Sequence, residues 1–228
     1  MRNVINLVLV AFIGMMVFIC AKSILGPINF DKQKGARDKK VIARLMDIRT
    51  IQSEYRKIKG VYTNNFDTLI TFVKNGKIPF MLKEGELTDD QRENGMTEKK
   101  AIAIIERAKK TGNYRTVKKE GLEKFKREIT YVNVMDTLFK GKDFTPDSLR
   151  YVPFTNGSTF EMSTVVDTTK SGATLPLFEA RTLYSVYLKG LDKQEVYNLI
   201  DFAKKLDKYP GLKVGDIESP NNNAGNWE

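Results

Sequence analysis

The sequence predicts an α+β protein: an N-terminal transmembrane helix, an amphipathic helix, then a small antiparallel sheet packed by helices. Three observations lead there. An almost unbroken apolar run extends from Val4 to Ala21, between Arg2 and Lys22. Apolar residues then recur at steps of three and four between Ala36 and Lys59. From Ile129 onward, short stretches alternate between apolar and polar residues and are separated by turn signals.

The apolar run is interrupted only by Asn6. Eighteen residues at the helical rise span roughly 27 Å, close to the hydrocarbon thickness of a bilayer. Val4, Leu7, Phe12, Phe18 and Ala21 are the candidate lipid-facing anchor residues. Two cleavage routes compete with an uncleaved anchor. A signal peptide ending at Ala21 places Ile19 where a small residue is wanted. The lipoprotein route through Cys20 wants small residues before the cysteine, where the chain has Val17, Phe18 and Ile19. A buried core helix is the third alternative. On orientation, the basic residues after the run favour cytoplasmic retention, whereas a short basic tail ahead of an apolar segment is the usual export pattern. The expectation is a single-pass protein of the inner (cytoplasmic) membrane with a periplasmic soluble part.

Gly26-Pro27 is expected to break or kink the helix after the anchor. Val41, Leu45, Ile48, Ile51, Tyr55 and Ile58 then mark one face of a long amphipathic helix ending at Gly60. Asn64 or Asn65 caps a second helix with Phe66, Leu69, Ile70 and Val73 on its apolar face. Thr88 to Gln91 has capping-box spacing, Thr97 to Lys110 reads as a helix, and Glu120 to Arg127 reads as a further helical piece. Strands are expected over Ile129–Met135, Leu149–Phe154, Thr159–Thr168, Leu175–Ala180 and Leu183–Leu188. Asn156-Gly157 and Ser171-Gly172 supply the turns between them. A helix capped by Asp192, with Val196, Leu199, Ile200, Ala203 and Leu206 as its stripe, packs on this sheet. The domain organisation is thus an anchor over residues 1–25, amphipathic helices over 26–76 and a charged, mainly helical insertion over 77–128. The sheet plus helix occupy 129–217, and a flexible polar tail covers 218–228.

Composition narrows the chemistry. The 228 residues contain no histidine, and the one cysteine lies in the apolar run. That removes the usual zinc ligand sets and Ser-His or Cys-His nucleophiles. No glycine loop has phosphate- or dinucleotide-binding spacing. No cofactor, metal or catalytic residue is assigned, and the chain is not read as an enzyme. The net charge of +10 is concentrated in residues 32–59 and 97–128. Such segments suit anionic lipid or acidic protein surfaces, or serve simply as solvated helix faces. No nucleic-acid motif accompanies them, so nucleic acid is not an expected partner. Tyr184, Tyr187, Tyr197, Phe178 and Phe202 are expected mainly in the core.

In the amphipathic helix, the run Ala43 to Tyr55 contains Leu45 and Ile48 and leads into Gly60-Val61-Tyr62, then Asp67-Thr68-Leu69. This resembles the N-terminal region of type IV pilins and of the pseudopilins of type II secretion systems. Those proteins commonly show leucine–x–x–isoleucine in a helix ending in tyrosine, then glycine–x–tyrosine and a downstream aspartate–x–leucine. The resemblance covers about residues 4–75. It lacks the glycine-phenylalanine processing site ahead of the apolar run and a glutamate near its start. It implies a membrane-anchored structural subunit of a bacterial envelope machine, pilin-like or a secretion component, acting by helix packing and protein–protein contacts. The implied partners are membrane lipid and other machine subunits or copies of itself. Val41, Leu45, Ile48 and Tyr55 are candidates for the helix-packing interface, or else pack under the chain's own sheet. Arg44, Asp47, Arg49 and Glu54 are candidates for local or intersubunit charge pairing. The alternative is a membrane-tethered periplasmic binding or scaffold domain that does not self-assemble.

Overall fold

The structure is a computed structural model that describes residues 2–168 and 172–228. In chain order it contains α1 (Arg2–Lys59), α2 (Phe66–Asn75), β1 (Lys77–Glu84), α3 (Asp89–Glu93), α4 (Glu98–Thr111), α5 (Arg115–Lys119) and β2 (Lys126–Asn133). There follow α6 (Val134–Leu138), a 3-10 turn (Pro146–Arg150), β3 (Glu161–Thr168), β4 (Thr174–Leu183), α7 (Tyr184–Tyr187), α8 (Lys193–Lys205) and β5 (Gly211–Gly215). The class is α+β, with a long apolar N-terminal helix and small antiparallel sheets. Two compact units result, one from Met1–Val73 with Gly141–Glu228, the other from Lys74–Lys140.

In the first unit, α1 is a single 58-residue helix that runs through Pro27. The expected break at Gly26-Pro27 is absent. Proline deletes one backbone donor at a local cost of about 3 kcal/mol, and the long helical stretches on both sides carry the ladder past it. The helix stops where predicted: Gly60 has φ 80° and donates its N–H to Arg56 at 2.8 Å. Asn65 caps α2, its side-chain oxygen accepting from the Asp67 N–H at 2.7 Å.

The sheet of this unit has the order β3-β4-β5, all antiparallel. Its centre is β4, whose Leu177, Phe178 and Ala180 are buried. The C-terminal half of α1 lies against β4, β5 and the 3-10 turn. Val41, Leu45, Ile48 and Ile51 are fully buried there, each worth about 1.5–3 kcal/mol of transfer free energy. The helix expected on the sheet was the one after Asp192. That helix forms as α8, capped by Asp192 at 2.9 Å to the Gln194 N–H. Of its stripe only Ala203 is buried, and Leu206 is exposed, as are Tyr197 and Phe202. Val41, Leu45, Ile48 and Ile51 of α1 occupy the place.

Three strand expectations change. Leu149–Phe154 begins in the 3-10 turn initiated by Pro146, and only Tyr151 bridges to Thr159. The Asn156-Gly157 reversal does hold, with the Val152 N–H donating to Ser158 and the Phe160 N–H to Arg150. Leu183–Leu188 coils into α7, and the three-residue spacing of Tyr184 and Tyr187 is helical. Ile129–Met135 yields β2, but β2 pairs with β1 and takes no part in the C-terminal sheet. Ser171 of the expected Ser171-Gly172 turn lies outside the described residues, and Gly172 has φ 81°.

The second unit is a two-stranded ribbon, β1 against β2, carrying α3 to α5 between its strands and followed by α6. The expected boundary at residue 128 therefore cuts through a strand; the unit closes at Lys140. Its core gathers Leu87, Ala101, Ala108, Val117, Leu122 and Phe125. The Thr88–Gln91 capping box is present. Glu120 to Arg127 is not helical: the helical piece lies earlier, at α5, and Gly121 at φ 65° turns the chain toward β2.

The tail, expected to be flexible, is hydrogen-bonded to the body. Its residues add to the edge of β5: the Gly215 N–H donates to Ala224 at 3.0 Å and the Asn226 N–H to Lys213 at 3.0 Å. The Asn226 side chain accepts from the Lys213 N–H at 3.1 Å and donates to Gly211 at 2.9 Å. A polar segment satisfies its own backbone by completing a sheet edge, which a hydropathy pattern does not reveal.

Candidate functional site

The candidate site is α1 itself, half free and half seated. By length and composition it can cross a membrane; its apolar window has a mean hydropathy of 2.2, with none of it buried. A signal sequence near an N-terminus meets the same criteria. Every described side chain from Asn6 to Asn29 is exposed, and Phe30 is the first to be buried. Leu7, Phe12 and Phe18 are 73%, 59% and 67% exposed, and Ala21 is exposed too. The side chain of Val4 lies outside the described residues. A Cβ placed on Gly14 or Gly26 meets nothing within 4 Å. This half of the helix has no partner within the chain among the described residues, and monomeric soluble proteins rarely leave so large an apolar surface in water.

The seat begins one turn later. Arg37 donates from one guanidinium nitrogen to the carbonyls of Tyr187 at 2.7 Å and Lys189 at 2.9 Å, and stacks over Phe154. The Tyr187 hydroxyl donates to Asp38 at 2.6 Å, and Lys34 pairs with the same carboxylate at 2.7 Å. Burial, then the Asp38 contact, push the Tyr187 phenol far above its ordinary range. Further along, Gln52 is fully buried. Its amide exchanges hydrogen bonds with the backbone of Thr63, accepting from the N–H at 3.2 Å and donating to the carbonyl. Tyr55 meets the Phe72 ring edge-on at 5.3 Å. A series of contacts from Phe30 to Tyr55 thus fixes the helix to the body, and the apolar half continues that seated helix without a break.

Of the two placements expected for the candidate interface residues, the structure shows packing under the chain's own sheet. Val41, Leu45 and Ile48 lie in the chain's own core, and Tyr55 is half-buried on α2. They offer no stripe to a neighbouring helix, because the sheet of the same chain already covers them. The candidate charge residues do not pair with one another. Arg44 binds the Ser148 carbonyl and, at 2.9 Å, its hydroxyl. Asp47 faces Lys142 at 3.8 Å, Glu54 pairs with Lys57 at 2.6 Å, and Arg49 pairs with Glu228 at 2.7 Å. Burial raises the Asp47 carboxyl above its ordinary value, with Lys142 and Arg44 opposing. Burial lowers the Arg44 guanidinium, with Asp47 opposing.

Sequence reasoning missed Gln52 and the Arg49–Glu228 link. A lone polar residue inside the apolar stripe, one position after Ile51, was the available signal for Gln52. No group of three or more potential metal ligands occurs among the described residues. No protein-family model, no curated protein and no solved structure matches the chain.

Proposed function

We propose that this chain is a single-pass, membrane-anchored structural subunit of a bacterial envelope machine, pilin-like or a secretion component, with its body on the periplasmic side. The observation that carries the reading is the unbroken α1, whose exposed apolar half continues directly into a half clamped on a small sheet. Such a rod transmits the position and tilt of a lipid-embedded helix to the body without a hinge. The exposed half also leaves its whole circumference free for lateral helix packing in a bilayer. The leucine–x–x–isoleucine helix, Gly60-Val61-Tyr62 and Asp67-Thr68-Leu69 agree with this layout.

Cys20 supplies the test, since it is the chain's one cysteine and is exposed on the apolar half. Oxidative crosslinking in native membranes should trap disulfide-linked species through Cys20, and Cys20→Ser should abolish them. A periplasm-dependent reporter fused after Glu228 should be active. A chain found in the aqueous phase, or a silent reporter, overturns the reading. A second reading is favoured by the burial of Val41, Leu45 and Ile48: a membrane-tethered periplasmic scaffold that does not assemble with copies of itself. Under it the protein remains membrane-bound and the reporter active, but no Cys20-linked homodimer forms.

A further inference from the structure

A cleft of about 970 Å³ lies within the second unit, between the end of α4, α5 and the start of β2. Its apolar lining reaches the unit's core through Val117, Leu122 and Phe125, with Ile105 beside them. Around this lining stand six cations: Lys109, Arg115, Lys118, Lys124, Lys126 and Arg127. Only two carboxylates, Glu84 and Glu123, share the wall. We propose that this cleft binds a small organic phosphate, a phosphoryl group joined to an apolar or aromatic body.

Two observations distinguish the cleft from an ordinary lysine-rich solvated face. First, the cations surround a concave apolar surface, whereas solvated lysines usually spread over a convex one. Lys109, Arg115, Lys118 and Lys124 are exposed, and among the described residues none of them forms an ion pair. Second, Arg127 is a buried guanidinium with an unused donor. Its side chain is only 5% exposed and stacks over Phe125 at 4.1 Å. One terminal nitrogen donates to the carbonyls of Glu84, Gly85 and Lys126, and the other pairs with Glu98 at 3.0 Å. Its Nε is buried without a hydrogen-bond partner. Leaving such a buried donor unpaired costs free energy.

The ligand class follows from the donor set. Guanidinium and ammonium groups suit phosphate oxygens, and a phosphate monoester carries nearly two negative charges at neutral pH. Lys126 and Arg127 already pair with Glu128 and Glu98, which leaves Lys109, Arg115, Lys118 and Lys124 against Glu84 and Glu123. That excess suits a doubly charged group better than a single carboxylate. The apolar lining and the exposed Tyr114 ring then accommodate the organic part. A lipid headgroup and a soluble nucleotide share this chemistry. The site lies wholly within the Lys74–Lys140 unit, so the inference stands apart from the membrane reading of α1.

The test is calorimetric titration of the full chain in neutral detergent. The probes are ATP, dihexanoyl phosphatidic acid, dihexanoyl phosphatidylcholine and inorganic phosphate. At least one of the first two should bind once per chain, about tenfold or more tighter than inorganic phosphate or the phosphatidylcholine. Which of the two binds identifies the source. Lys109→Glu/Arg115→Glu/Lys118→Glu should weaken that binding by about tenfold or more. The equally charge-reversed Lys59→Glu/Lys204→Glu/Lys208→Glu, which lies in the other unit, should leave it within about twofold. Absence of binding by both organic phosphates, inorganic phosphate binding as tightly, or equal weakening by the two triple variants overturns the proposal.

Discussion

Placing arginine at Phe12 and Met16 tests the role of the exposed half of α1 most directly. These residues are 59% and 51% exposed, and neither belongs to the packed body, so the double substitution leaves the folded core intact. In a bilayer the balance differs. On an insertion scale, Leu, Ile, Phe and Val each contribute about −0.3 to −0.6 kcal/mol near a helix centre, and arginine about +2.5 to +3.5. The Val4–Ala21 run is therefore favourable by roughly 3–7 kcal/mol, and two central arginines add about 6–8 kcal/mol. The variant's insertion free energy falls to zero or becomes unfavourable, a shift of about four to six powers of ten in the partition constant. Alkaline carbonate extraction followed by flotation reads this out. Wild type should pellet and float with membranes, and Phe12→Arg/Met16→Arg should be released, with the body's near-ultraviolet circular dichroism unchanged. A double variant that still floats after carbonate, or a wild type that is extracted, would refute the reasoning.

Gln52→Ala should cost about 2–4 kcal/mol in urea unfolding of the body, because it leaves both backbone groups of Thr63 without their partner. Equal stability of wild type and variant would contradict that pairing. Asn226→Ala should cost about 1–3 kcal/mol by removing both side-chain bonds to β5, whereas Glu228→Gln, at a partly exposed pair, should cost under ~1 kcal/mol. The Asp216 carboxyl is held below its ordinary value. Burial opposes this but is outweighed by the Glu218 and Ser219 N–H groups and by Lys213. Its stabilisation is present above the unfolded carboxylate range near ~4 and is lost as pH falls through the lower folded value. Wild type should exceed Asp216→Asn in stability at neutral pH, with the two converging as pH falls through the lowered folded value. Asp47 has the opposite sign, its raised value meaning stability present in acid and lost as pH rises through the folded value. Asp47→Asn should therefore gain stability at neutral pH and match wild type in acid; a constant difference across pH would refute the assignment.

Local patterns in the chain carry information wherever a short-range rule decides. The apolar run, the Gly60 stop, the Asn65 and Asp192 caps and the Thr88–Gln91 box all appear as their residues imply, because each depends on neighbours within a few positions. Tyr184 and Tyr187 show the limit: their three-residue spacing is helical, although Leu183–Leu188 as a run has strand composition. Pro27 shows another, since a single missing donor does not end a helix supported for many turns on both sides.

By itself the sequence determined the α+β class, the exposed apolar half of α1, the lack of His and the absence of Cys outside the apolar run. All of these are properties of composition or of period. Only the tertiary structure decided which amphipathic face would cover the sheet. Val41, Leu45 and Ile48 became core instead of a surface for another chain because the sheet of the same chain packs on them. The three-dimensional fold alone also closed the β5 edge with the polar tail and brought the Lys109, Arg115 and Lys118 cations around one cleft. These arrangements rest on contacts between residues far apart in the chain, which no local pattern encodes.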